Sequence, residues 1–322
     1  MFRSADRRGR IAAYWRAILD RPAVKRALRL LRRLLLGAIV LYLIYKLTEV
    51  GWGEVVDALP VSPWFYVFFA LRYLALPLSE IPAYELVWER PLWRHFSAFI
   101  RKRVYNFAVM GYAGEAFFTL WARRRLALPD RAILIGVKDN TILSALVSNL
   151  ATVLMIAVLA ASGGLKPGLE ALPGSIVLFS LAFLSAFGLA AAVIVFRRQI
   201  IHLPDGMMPK LVVIHGARMA LIIVLHAAMY MAALPGAALL AWLMFIALQL
   251  VLSRIPFVPN QDLVFLTAAL HLAPIVGQPE AAIAGMLVAE AGLSQIVNFG
   301  LFFATAHHAS DGDHEESRGE SP

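Results

Sequence analysis

Long apolar runs separated by short polar breaks dominate the chain. Runs near residues 34–50, 63–88, 132–161, 175–196, 211–234 and 281–305, with another ending near Ser253, approach or exceed the roughly 20 residues that a membrane-spanning helix needs. The strict alternation of an outer-membrane barrel strand is absent. The pattern predicts an all-α fold: a polytopic helical membrane protein of about seven to eight spans, one or two of them re-entrant or broken.

Two segments depart from simple spanning. VYNFAVMGYAGEAFFTLWA follows Arg101, Lys102 and Arg103 and runs directly into Arg123, Arg124 and Arg125. The bias of lysine and arginine toward the cytoplasm places both flanks on one side. A single span cannot satisfy that, whereas a re-entrant hairpin over Tyr105–Trp121, turning at Gly111 and Gly114, can. Backbone freed at that depth must be buried in protein or line a wet cavity.

The second segment is RIPFVPNQD, Arg254 to Asp262, set between AALLAWLMFIALQLVL and LVFLTAALHLAPIVG. The sixth span is expected to return the chain to the cytoplasmic face at Arg254. Pro256, Pro259 and Pro274 then break the segment 255–277. A helix starting after Pro259 would present unpaired N–H groups suited to a phosphate or carboxylate, although Asp262 could cap them itself. Broken helices paired in the two halves of a chain point to a transporter's central site.

Composition and charge sharpen this picture. The 322 residues are 60% hydrophobic and 16% charged, with no cysteine and a net charge of +9. Residues 1–33 carry ten arginines and one lysine against two aspartates. Val24, Leu28, Leu31 and Leu35 share one helical face there, so the segment reads as an amphipathic helix on the cytoplasmic leaflet. Anionic lipid headgroups, not nucleic acid, are its expected contact. The organisation is a basic segment over 1–33, one transmembrane domain over 34–305, and a polar tail without fixed structure over 306–322.

An ionised side chain at bilayer depth must find a counter-charge, donors or water. Glu115 is the foremost case, with Arg72, Arg218 and Arg123–Arg125 as expected partners. Arg72, Asn106, Glu115, Arg218, Arg254, Asn260, Gln261 and Asp262 form the candidate substrate-binding set. Gly111, Gly114, Pro256 and Pro259 shape the backbone around it. His215 and His226 read as satisfied interior residues, and Asn149 and Asn298 as interhelical hydrogen-bonding groups. GxSxG, HExxH, P-loop and paired aspartate-rich motifs are absent. No catalytic residue, metal or cofactor is therefore expected.

NFAVMGYAGE, with Asn106, Gly111, Gly114 and Glu115, and PFVPNQDLVFL, with Pro256 and Pro259, resemble the motifs of the lysylphosphatidylglycerol synthase transmembrane family, or flippase-like membrane proteins. Members tend to read N-x-x-x-P-G-x-x-G-[DE] and P-x-x-P-G-G-x-G-x-x-E. Here Met110 replaces the first motif's proline, and Phe118 stands where a basic residue is usual. Asn260 and Gln261 replace two glycines of the second motif, and Leu266 replaces its glutamate. Asp262 lies one helical turn before Leu266, on the same face.

The resemblance implies a multi-pass protein of a bacterial inner membrane, its N-terminus cytoplasmic. It would translocate or bind a lipid or a lipid-linked headgroup, and proteins of lipid biosynthesis are possible partners. The alternatives are an intramembrane transferase on a lipid-linked substrate and a non-transporting scaffold of an envelope-lipid complex. The separate soluble domain that carries aminoacyl-lipid synthesis in that family is not expected in this sequence.

Overall fold

The computed structural model describes residues 52–108, 113–171, 174–204, 206–254 and 261–316, together with isolated positions between 30 and 48. The basic amphipathic segment and the first apolar run therefore lie outside the described residues. So do Gly111, Pro256, Pro259 and Asn260, while Gln261 and Asp262 are described in backbone only. Every element among the described residues is helical, as expected of an all-α polytopic membrane protein.

The helices are α1 (Trp52–Asp57), α2 (Pro63–Trp88), α3 (Phe96–Ala108), α4 (Ala113–Arg125), α5 (Asp130–Ala161), α6 (Lys166–Ala171), α7 (Ser175–Val195), α8 (Arg197–Ile200), α9 (Met207–Ala233), α10 (Leu239–Leu252), α11 (Gln261–Val276) and α12 (Glu280–Glu316). Pro63 opens α2 at a position where its missing N–H is no loss. The helix ends at Glu89, whose left-handed backbone (φ 52°) donates its N–H to the Glu85 carbonyl. α2, α5, α9 and the first part of α12, as far as Thr305, are long and apolar enough to cross a membrane. α12 then continues through 306–316, which the sequence led us to expect without fixed structure. No proline interrupts it there, and extending an existing helix avoids the nucleation cost.

α3 and α4 have 13 residues each, α10 has 14 and α11 has 16. At 1.5 Å per residue they reach only about 20–24 Å, short of the roughly 30 Å hydrocarbon core. They form two antiparallel hairpins. In the first, the rings of His95 and Trp121 meet at one end, and Asn106 accepts the Gly114 N–H at the other. A Cβ at Gly114 would lie 2.0 Å from the Lys102 carbonyl oxygen, so only glycine lets α4 approach α3 this closely. In the second hairpin, Phe245 meets Phe265 edge-on and Gly236 faces Gln278. α11 contains Pro274, which was expected to break this segment, in its last turn and ends two residues later at Val276.

The packing has an exchange symmetry. α2 packs most extensively against α9, each hairpin packs on the long helices that flank it, α3 crosses to α12, and α10 crosses to α5. Swapping α2–α5 for α9–α12 preserves these pairings, but not the packing of α5 on α2 and α9, which has no comparably extensive counterpart at α12. α2 and α9 run antiparallel: Phe65 and Phe69 share a core with Ala227 and Tyr230, while Ala83 and Leu86 share one with Leu211. The swap therefore reverses direction, and the hairpins open toward opposite ends of the bundle. One end carries Arg90, Arg94, Arg124, Arg125, Arg131, Arg197 and Arg198; the other carries Glu54, Asp57, Glu170 and Glu280.

This arrangement corrects the expectation for Arg254. The chain does not return to the basic end there, because α10 is too short to reach it. Arg254 instead contacts Ser148 and Thr152, about 27 Å along α5 from Asp130.

Candidate functional site

Three polar centres lie inside the bundle. The first joins the first hairpin to α2. Lys102, nearly fully buried, donates to Glu80 Oε1 at 2.5 Å and lies 3.6 Å from Glu115 Oε1. Its ammonium also sits over the rings of Tyr84 and Phe118. The sequence placed Lys102 in the basic flank of the hairpin and offered Arg72, Arg218 or Arg123–Arg125 to Glu115. Among the described residues the cation at Glu115 is Lys102, because α3 runs unbroken through the basic run and turns this side chain inward. Glu115 Oε2 is buried without a hydrogen-bond partner.

The second centre is closed. Arg72 on α2 pairs with Glu290 on α12, and its Nη1 lies 3.2 Å from the ring nitrogens of His226 on α9. Tyr230 donates to Glu290 Oε2 at 3.0 Å, so both carboxylate oxygens are engaged. About two turns beyond Glu290 along α12, Asn298 Oδ1 accepts from Tyr73 at 2.7 Å, and Arg103 lies 4.0 Å over the Tyr73 ring. This centre pins the two halves together.

The third centre runs along α5. Asn140, Ser144, Ser148 and Thr152 recur every fourth residue and so form a polar stripe down one face of α5. Asn140 Oδ1 lies 3.0 Å from His215 Nε2. Ser144 accepts from Arg218 Nη2 at 2.9 Å, and Thr152 accepts from Arg254 Nε at 3.2 Å. Arg218 is only 5% exposed, yet its Nε and Nη1 have no hydrogen-bond partner. No carboxylate among the described residues forms an ion pair with it. A buried guanidinium held by one hydroxyl is a costly arrangement unless an anion completes it.

Asn106, Gly114 and Glu115 thus assemble at the inner end of the first hairpin, Arg218 and Arg254 meet on the α5 stripe, and Arg72 lies in the closed centre. The side chains of Asn260, Gln261 and Asp262 fall outside the described residues, as does their approach to Glu115. Sequence reasoning missed Lys102, Glu80, Glu290 and the stripe. Of these, Glu80 and Glu290 carry the signal of an ionisable group inside an apolar run, and the stripe that of the four-residue spacing in NTILSALVSNLAT. Outside the spans, His95 is held below the ordinary imidazole range by burial first, then by the charges of Arg94 and Arg125. No family model, curated protein or solved structure matches the chain.

Proposed function

We propose that this chain is a lipid translocase: it takes an anionic lipid or lipid-linked headgroup between its opposed hairpins and moves it across a bacterial inner membrane. The observation that carries the reading is the direction-reversing exchange of the two halves around polar residues at mid-bundle. Inverted halves with discontinuous helices are the architecture in which alternating access arises by rocking one half against the other. Placing the arginine-rich end in the cytoplasm follows the positive-inside rule and orients the first hairpin to enter from that side. The motif resemblance to the flippase-like family points the same way.

In this reading Arg218 and Arg254 neutralise the headgroup on the α5 stripe, whose hydroxyls replace water, while the acyl chains remain in lipid. The Arg72 centre, which joins α2 to α9 and α12, holds the two halves in register, and the Lys102 centre ties the first hairpin to α2. Purified protein in liposomes, supplied with fluorescent phosphatidylglycerol in one leaflet, tests the proposal. Transfer of the intact probe to the other leaflet supports it. A new lipid species would establish an intramembrane transferase instead, and neither outcome would leave a scaffold.

A further inference from the structure

At the base of the first hairpin, where it leaves the bundle at the basic end, lies a pocket of about 450 Å³. Its floor is cationic and its wall is apolar. Arg101 comes from α3, Arg124 and Arg125 from the end of α4, and the wall is built by Phe117, Leu120 and Trp121. No carboxylate is among the lining residues, and the neighbouring ion pair is made by Arg123, which binds Asp130 at 3.3 Å. Among the described residues, these three guanidiniums are thus gathered without a counter-ion. Arg101 is held in place over the Phe117 ring at 5.2 Å, and that ring in turn stacks on Tyr105. Leu120, 55% exposed, extends the apolar wall outward.

Depth identifies the kind of ligand. Thr305, just before the polar sequence that starts at His307, lines the same pocket as Arg124 and Arg125. The pocket therefore straddles the boundary between hydrocarbon and headgroups. There, a tryptophan and basic side chains meet one apolar and one anionic part of the same molecule. A soluble phosphate would use the floor and leave the wall bare.

We propose that this pocket is a second, separate site for an anionic lipid, with the headgroup phosphate on Arg101, Arg124 and Arg125 and the first part of the acyl chains against Leu120 and Trp121. It does not depend on translocation, since occupancy is measured without movement. A protein that fills this pocket but moves no lipid would refute the transport reading alone.

Full-length protein in phosphatidylcholine nanodiscs, carrying a trace of photoactivatable phosphatidic acid, provides the test. Crosslinks should map to 117–125, saturate, and be displaced by unlabelled phosphatidic acid but not by inorganic phosphate. In the R124Q/R125Q protein the half-saturating lipid concentration should rise roughly 30-fold, about fivefold per guanidinium lost. Both arginines are exposed, so the variant should retain its elution profile; Arg101→Gln alone should give about a fivefold shift. Unchanged crosslinking in these variants would overturn the site. Displacement by inorganic phosphate would overturn the lipid as its ligand.

Discussion

At the scale of single residues, the buried charges divide into those that hold the bundle and one that, under the proposed function, takes a ligand. Lys102 belongs to the first kind. Lys102→Met would leave Glu80 and Glu115 without their cation, a change expected to cost about 3–5 kcal/mol and to lower the melting temperature in detergent. Adding Glu80→Gln should recover much of that loss, because the pair then leaves together; no recovery would show that Lys102 acts through Glu115. Arg218 belongs to the second kind. Arg218→Gln can keep the Ser144 hydrogen bond while removing a buried charge. Stability should be unchanged or slightly higher while lipid movement falls more than about tenfold. Equal losses of stability and movement would make Arg218 a strut. Sequence alone identified Arg218 and Glu115 as residues requiring a partner, since ionisable groups inside apolar runs must pair. It could not supply the partners, because Lys102 meets Glu80 and Arg72 meets Glu290 across helices far apart in the chain.

At the scale of elements, the long helices were legible and the hairpins half so. α2 has the bounds its apolar run predicts, and α5, α7 and α9 differ from theirs by a few residues. For the first hairpin the expected segment was Tyr105–Trp121, whereas α3 and α4 extend over Phe96–Ala108 and Ala113–Arg125 and the basic run Arg101–Arg103 lies inside α3. The second was not legible: nothing in AALLAWLMFIALQLVL says whether the helix ends at mid-depth or crosses. Its length decides the matter, and only the fold shows that Gly236 and Gln278 stand together. Gly114 gives a test at this scale. Any Cβ there meets the Lys102 carbonyl, so Gly114→Ala should separate α3 from α4, weaken the Asn106 clasp and lower the melting temperature by several degrees. Gly292→Ala, at a position open to side chains, should leave it unchanged.

At the scale of the whole molecule, the account rests on two halves facing opposite ways. The sequence suggested paired broken segments but no repeat, because exchange symmetry here lives in which helices touch and not in which residues recur. It also requires the second hairpin to open at the end opposite the arginines, against the simpler alternation of complete spans. The cysteine-free chain makes that directly measurable. Single cysteines at Trp93, Arg124, Gly236 and Gly277, introduced one at a time, can be labelled in sealed inner-membrane vesicles with an impermeant maleimide. The account predicts that positions 93 and 124 label from the cytoplasmic side only, and 236 and 277 from the other side only. Labelling of 236 and 277 from different sides, or of all four from one side, would contradict the inverted hairpins and the transport mechanism built on them.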